Sequence, residues 1–257
     1  MKSVKCYPAG TEVHWRGHRL TEAAEFDAFL RGPVKNRVSD ADFERQLTAD
    51  LERLASTQMA SETLRQVLSA SPAPLDWEIG EAIAECLLED EFGVTWPWNE
   101  NRDRKTPRAS LPGADLVGLF GDEPNARLLF GEVKASSDQS RPPGVMGGRS
   151  GLAHQIDTLA SSPRIQASLV RWLYARCKNT THWPRFQAAC ARYLQSGGTD
   201  IVLVGTLLRD TIPHEDDLRT RGAALATLAQ PPNVRLDAWY APRPIAEWVS
   251  IVMGGTS

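Results

Sequence analysis

The sequence of 257 residues predicts an α/β fold, in which helices flank a central sheet and a mainly helical region comes first. From residue 76 onward, stretches with helical periodicity alternate with short apolar runs that are typical of buried strands. Turn-forming residues, such as Gly121-Asp-Glu-Pro-Asn125, separate these stretches. The resulting order of elements is α-β-β-α-α-β-α-β-α, which favours a layered α/β architecture.

The N-terminal part has a different pattern. Residues 1–20 alternate weakly between apolar and polar side chains, which indicates one or two strands, and helical periodicity then continues over residues 21–70. The proline-containing sequence of residues 69–75 interrupts that periodicity. We therefore expect a mainly helical N-terminal region over residues 1–75 and a second domain over residues 76–257.

The elements of the second domain can be placed individually. A helix is predicted over residues 77–91, with Asp76 as its cap, because an aspartate before the periodic residues can accept bonds from unpaired N–H groups. The other predicted elements are strands over residues 114–120, 127–135, 200–208 and 234–240, and helices over residues 152–178, 184–196, 215–229 and 244–253.

Composition excludes several classes of protein. Apolar residues make up 42% of the chain, but no apolar run approaches the roughly 20 residues that span a bilayer. The first residues are not followed by a signal-peptide core, so we expect a cytoplasmic protein without a membrane partner. The cysteines are widely spaced and form no Cys-x-x-Cys pair, which indicates reduced structural thiols and no zinc ribbon. They are Cys6, Cys86, Cys177 and Cys190.

Charge is segregated along the chain. The net charge is −3, but residues 139–199 contain eight Arg or Lys and one acid, which leaves −10 for the remaining residues. Residues 76–92 contain seven acids and no base. Each arginine alone is an ordinary surface residue, but the collective excess, with aromatic residues between the charges, favours phosphate and base binding. These aromatic residues are Trp172, Tyr174, Trp183 and Tyr193.

Glu132 and Lys134 are the strongest candidates for chemistry. They lie two residues apart near the end of the segment Arg127 to Ala135, after the apolar residues Leu128, Leu129 and Phe130. In a strand, residues two apart share one face. The same spacing occurs at Asp103 and Lys105, but that stretch is polar and is expected to be a solvated loop. The alternative for Glu132 and Lys134 is a rim salt bridge without catalytic consequence.

Asp115 adds a second carboxylate at the start of the preceding predicted strand. Two hard oxygen ligands can hold Mg²⁺, which keeps several waters and completes its coordination with substrate phosphate. A lysine beside the ion can orient or deprotonate the attacking water, or offset charge on the phosphate. Asp115, Glu132 and Lys134 together therefore predict a metal-dependent phosphodiesterase.

The helix before these strands can supply a further acid. Its glutamates are expected to be mostly solvated, but a helix packed on a sheet can direct one carboxylate over the strand ends. Glu81 is the predicted residue, and Glu85, one turn later, is the alternative.

These elements resemble the PD-(D/E)XK nuclease superfamily over about residues 76–208. The resemblance rests on an acidic helix, a Pro-Gly-Ala-Asp115 strand and, after 17 residues, Glu132-Val-Lys134. It implies a restriction-endonuclease-like mixed central sheet, Asp115 and Glu132 as Mg²⁺ ligands, Lys134 as the catalytic lysine and Glu81 as the helix acid. Mn²⁺ is expected to substitute for Mg²⁺. The chain departs from this pattern in one respect: an additional Ala114 separates Gly113 from Asp115, so the literal Pro-Asp dipeptide is missing.

Within that superfamily, Gly80-Glu81, the Lys105-Thr-Pro segment, Gly113-Ala-Asp115 and Gly131-Glu132-Val-Lys134 are similar to the nuclease subunits of Hachiman anti-phage systems. This resemblance implies an endonuclease that acts on DNA in antiviral defence with a helicase partner, while RNA stays open as a substrate. The alternative is a catalytically silent module that keeps the nuclease fold and assembles a nucleic-acid-processing complex.

Three further features of the sequence bear on the candidate site. The glycine-rich segment Gly144 to Gly151 lacks the pattern of a P-loop or of a hydrolase nucleophile elbow, so we expect a mobile loop over the substrate. Gln155 either faces the site or lies on the surface. No HExxH helix accompanies His14 and His18, which makes a zinc site unfavourable.

Overall fold

A computed structural model of the chain describes residues 1–8, 14–68, 74–103, 113–226 and 233–255. Its centre is a mixed sheet of six strands with helices on both faces, so the predicted α/β class is confirmed. The strands are β1 (Ser3–Tyr7), β2 (His14–Leu20), β3 (Leu116–Phe120), β4 (Arg127–Ser136), β5 (Ile201–Arg209) and β6 (Asn233–Tyr240).

The sheet has the order β1-β2-β6-β5-β4-β3. The four inner strands β2, β6, β5 and β4 run parallel to one another. The outer strand β1 pairs antiparallel with β2, and the outer strand β3 pairs antiparallel with β4. All nine residues of β5 are buried, as expected for a parallel strand that is covered on both faces.

Helices precede, connect and cover these strands. They are α1 (Ala23–Phe29), α2 (Lys35–Ser39), α3 (Ala41–Glu52), α4 (Gln58–Leu68), α5 (Asp76–Phe92), α6 (Glu100–Asp103), α7 (Leu152–Ser161), α8 (Pro163–Cys177), α9 (Trp183–Gln195), α10 (Arg219–Ala226) and α11 (Trp248–Val252). A π-helical turn joins α1 to α2, and 3₁₀ turns form at Gly144–Met146, Glu215–Asp217 and Ile245–Glu247.

Four predicted helix boundaries were wrong. The helix predicted over residues 244–253 begins with a 3₁₀ turn at Ile245–Glu247 and is α-helical over Trp248–Val252. The helix over residues 152–178 is divided at Ser162, because Pro163 disfavours helical backbone before it and Ser162 accepts a bond from the N–H of Ile165. The helix predicted to start at Glu215 starts instead with a 3₁₀ turn, and residues 227–229 lie outside the described residues. Asp76 is the first helical residue rather than the cap, because the Glu78 carboxylate reaches back to the N–H of Leu75.

Two apolar layers enclose the sheet. Along β4, Leu128 and Phe130 belong to the cluster that includes residues of α7, α8 and α9, whereas Leu129 and Val133 belong to the cluster formed with α1, α5 and α11. This alternation follows from the two-residue period of a strand. It places Glu132 and Lys134 on the same face as Leu128 and Phe130.

The N-terminal strands belong to the same sheet as the strands of the second predicted domain. Strand β2 pairs in parallel with β6, and the buried His18 lies 2.9 Å from Asp237, from Nε2 to Oδ1. Helix α1 packs through Phe26 against Trp248. The predicted domain boundary near residue 75 stays a prediction, and residues 69–73 lie outside the described residues. Within the described ranges, no helix has both the length and the apolar character that a membrane span requires.

Gly131, on β4 beside Glu132, has no room for a side chain. A Cβ at this position would lie 2.4 Å from the carbonyl oxygen of Val204 and 3.2 Å from Cβ of Leu116. We predict that Gly131→Ala destabilises the protein by about 1–3 kcal/mol, because it forces the central strands apart. Chemical denaturation monitored by circular dichroism measures this change.

Gly32→Ala is the matched control, because a Cβ at Gly32 meets nothing within 4 Å and alanine favours helical backbone. A Gly131→Ala protein with the same denaturation midpoint as the Gly32→Ala protein would show that the central strands are not packed as described.

Candidate active site

The hairpin of β3 and β4 brings the predicted site residues together. Leu116 pairs with Gly131 in antiparallel register, so Asp115 and Glu132 occupy the next opposed positions. Lys134 follows two residues later on the same face of β4. Glu132 is only 4% exposed, whereas Asp115 and Lys134 are partly exposed.

Hydrogen bonds fix the positions of all three side chains. Lys134 Nζ donates to Glu132 Oε1 at 2.7 Å, and the backbone N–H of Val133 donates to Asp115 Oδ2 at 2.9 Å. The first bond joins the ammonium to the buried carboxylate. The second holds the Asp115 carboxylate against β4. The geometry thus places an ammonium and two carboxylates in one small volume.

Glu132 is the buried carboxylate of this group. Burial and, second, the neighbouring Asp115 raise the pKa of Glu132, and the bond from Lys134 lowers it; the net result is a pKa of about 8. One lysine therefore does not fully offset the cost of ionising a buried carboxylate beside a second one. A bound cation would offset that cost.

A cleft of about 470 Å³ opens beside the last residues of β4. Its lining comes from the N-terminal turns of α5, from β4, and from three further segments of the chain. The lining residues are Asp76, Trp77, Gly80, Glu81, Trp98, Asp115, Val133, Lys134, Ala135 and Ile245. Glu132 does not line the cleft itself but accepts a hydrogen bond from Lys134, which does.

The structure distinguishes the two candidate acids of α5. Glu81 lines the cleft together with Asp115 and Lys134. Glu85 is buried elsewhere, with its Oε2 3.6 Å from Nε of Arg37. Of these two glutamates, the fold therefore brings Glu81 to the cleft and keeps Glu85 in an ion pair.

The cleft carries an excess of negative charge. Asp76, Glu81 and Asp115 line it, while Lys134 is the single basic residue among the lining residues described. Such a surface attracts cations and repels phosphate. A polyanionic ligand can enter it favourably only together with cations.

The oxygen donors of this cleft fit Mg²⁺ or Mn²⁺. Asp115 and Glu132 are the first candidates to hold the ion, and Glu81 is the third. In the part of the chain that the structure describes, no three His, Cys, Asp or Glu side chains are placed so that they could together hold a metal ion, so Glu81, Asp115 and Glu132 do not form one such group. Mg²⁺ does not require one, because it commonly uses one or two carboxylates and takes its other ligands from water and substrate phosphate.

The basic segment of residues 139–199 is partly neutralised by the fold. Arg176 pairs with Asp103 at 2.9 Å, and Arg192 pairs with Asp200 at 2.7 Å. Arg185 pairs with Asp122. The charge count of this segment left these ion pairs out, because their acidic partners lie outside residues 139–199.

The aromatic residues of the same segment mainly pack within the fold. Trp172 lies against Trp98, with 4.9 Å between ring centroids, and Trp183 stacks on Phe186 at 5.6 Å. The hydroxyl of Tyr193 donates to Gln166. Of the four aromatics predicted to contact bases, Tyr174 is the most exposed, at 42%.

Three other sequence expectations have structural outcomes. Asp103 is ion-paired, and Lys105 lies outside the described residues. At the start of the glycine-rich segment, the carboxylate of Asp138 accepts bonds from the N–H groups of Gly144 and Ser140. These bonds lower the pKa of Asp138 to about 2. Gln155 is partly buried, and its Oε1 atom has no hydrogen-bond partner among the described residues.

Sequence reasoning missed Trp77, Trp98 and Ile245 as cleft residues. Trp77 could have been found, because it lies four residues before Glu81 and so shares a helix face with it. Trp98 and Ile245 reach the cleft only through long-range packing.

The chain matches no protein-family model and no curated protein. The geometry of the cleft is therefore the basis for a functional assignment.

The high pKa of Glu132 has a measurable consequence for stability. A carboxyl whose pKa is higher in the folded than in the unfolded protein destabilises the fold as pH rises through this interval, here from about 4.5 to about 8. We predict that Glu132→Gln melts at a higher temperature than wild type in EDTA at pH 8.5, by several degrees, at roughly 2–4 °C per kcal/mol.

The difference in melting temperature should shrink as pH falls towards 5, where wild-type Glu132 is protonated in the folded state. Added Mg²⁺ should raise the melting temperature of wild type but not that of Glu132→Gln. Thermal melts across this pH range test the assignment, and a difference that does not change with pH would contradict it.

Proposed function

We propose that this protein is a metal-dependent nuclease that hydrolyses phosphodiester bonds. The observation that carries the proposal is that Asp115, Lys134 and Glu81 line one cleft and that Lys134 is bonded to the buried Glu132. Two carboxylates suited to Mg²⁺ and an ammonium suited to phosphate thus meet at a site large enough for a nucleotide.

Each residue has a role that follows from its position. Asp115 and Glu132 would hold Mg²⁺ or Mn²⁺, which, when bound, supplies Lewis-acid polarisation of the phosphate and lowers the pKa of a coordinated water. Lys134 presents its ammonium to the attacking water or to a phosphate oxygen, where it offsets developing negative charge. Glu81 lies on the cleft wall, where it can accept a proton or a hydrogen bond from that water.

The resemblance to PD-(D/E)XK nucleases is compatible with the mixed sheet, in which Glu132 lies on β4 and Asp115 directly precedes the antiparallel neighbour β3. DNA is the proposed substrate, and RNA is an alternative that the experiment below includes. The association with a helicase partner and with anti-phage defence rests on the sequence resemblance alone.

The double variant Glu132→Ala/Lys134→Ala tests the assignment directly. Wild type should cut DNA when Mg²⁺ or Mn²⁺ is present, and the double variant should lose at least about 100-fold of this activity, because it removes a metal ligand and the ammonium. Plasmid, single-stranded DNA and RNA are incubated with each protein, and circular dichroism confirms that the variant is folded.

A double variant that cuts as well as wild type would disprove the site assignment. If wild type cuts none of the three substrates with either metal, even after a helicase partner is added, the silent assembly module becomes the better interpretation.

Helix α5 provides an internal comparison of three glutamates. Glu81→Gln should reduce cleavage about 10–100-fold, because it removes the carboxylate on the cleft wall. Glu89→Gln should cut like wild type, because Glu89 pairs with Arg37 away from the cleft. Glu85→Gln should lose stability but keep its activity per folded molecule.

Initial cleavage rates, normalised to folded protein, provide the measurement. If Glu85→Gln abolishes cleavage and Glu81→Gln does not, Glu85 rather than Glu81 is the helix acid.

A further inference from the structure

Trp77 is an exposed residue that lines the cleft of the proposed active site. It lies at the second position of the 17-residue helix α5, one turn before Glu81, and both side chains line the cleft. Its exposure is 38%, which is high for a large aromatic residue. The same helix therefore brings an acid and an indole to one cleft.

The cleft has a charged side and an apolar side. Glu81, Asp115 and Lys134 form the charged side, and the apolar side includes Val133, Ala135 and Ile245 as well as the two tryptophans. A site that bound only a phosphodiester backbone would need charge and hydrogen-bond donors, not an apolar wall. The apolar side fits the other part of a nucleotide, its base.

The two tryptophans of the wall have different structural roles. Trp98 is buried, its indole N–H donates to the carbonyl oxygen of Val117 at 2.5 Å, and its ring packs on Trp172. These contacts hold Trp98 in place as part of the core. Trp77 is 38% exposed, against 4% for Trp98, so of these two tryptophans it is the one that offers surface to a ligand.

An exposed indole selects unpaired bases over paired ones. In a duplex the faces of the bases are stacked on one another, so a side chain at the phosphate backbone cannot reach them. In a single strand each base offers its π face, and stacking on an aromatic side chain contributes about 1–3 kcal/mol per base. A cleft of about 470 Å³ also has the size of a nucleotide-scale ligand rather than of a double helix.

We propose that the cleft takes an unpaired nucleotide of a single-stranded polynucleotide, with its base stacked on Trp77 and its phosphate beside Lys134. This inference rests on the proposed nuclease function and specifies its substrate: single strands, overhangs or loops rather than intact duplex. Trp77 is thereby a specificity-determining residue.

Binding is measured in the Glu81→Gln background, which keeps Lys134 for the phosphate and Asp115 and Glu132 as metal ligands, and which slows cutting of the probe. The probes are a fluorescein-labelled 12-nucleotide oligo-dT and a blunt 12-base-pair duplex, each titrated by fluorescence anisotropy with Mg²⁺ present. Trp77→Ala and Trp77→Phe are compared with the background protein, and thermal melts confirm that all three are folded.

Trp77→Ala should weaken binding of the single strand about tenfold and leave the weaker duplex binding unchanged. Trp77→Phe should restore most of the affinity, because phenylalanine keeps an aromatic face. The proposal is overturned if Trp77→Ala binds the single strand like the background protein, if it loses affinity for both probes equally, or if the background protein does not bind the single strand.

The cleavage panel on wild-type protein separates this inference from the proposed function. Trp77-dependent binding without any cleavage would reject the nuclease and keep the single-strand site. Cleavage of duplex and single strand at equal rates, with Trp77→Ala fully active, would keep the nuclease and reject the role of Trp77.

Discussion

The close approach of Asp115 to the buried Glu132 is the constraint on which the site depends. The antiparallel register of β3 and β4 imposes it, and the N–H of Val133 holds the Asp115 carboxylate in place. Burial and the nearby Asp115 disfavour ionisation of Glu132, and Lys134 compensates only in part. The fold thus maintains an electrostatic cost that a bound divalent cation would relieve.

Helix α5 turns this local arrangement into a cleft. Ile79 and Ile83 are buried against the sheet, which fixes the helix, and its first turns bring Trp77 and Glu81 to the end of β4. Further along the helix, Glu85 is neutralised by Arg37. One helix therefore supplies an acid and an aromatic surface at the cleft and a structural ion pair away from it.

Sequence predicted the parts of the fold and site that depend on local patterns. The apolar run of β5 and the two-residue spacing of Glu132 and Lys134 are such patterns, because a strand imposes a period of two. The docking of β2 on β6 is not local, since it joins residues more than 200 positions apart in the chain. The pairing of Arg176 with Asp103 likewise depends on tertiary packing.

The most direct test of this account is whether Asp115 and Glu132 hold a divalent cation. Electron paramagnetic resonance of Mn²⁺ titrated into the protein counts bound ions without requiring a substrate. We expect a saturable Mn²⁺ site in wild type that is lost in Asp115→Asn while the protein stays folded. A wild-type protein that binds no Mn²⁺, or an Asp115→Asn protein that binds it equally well, would contradict the account.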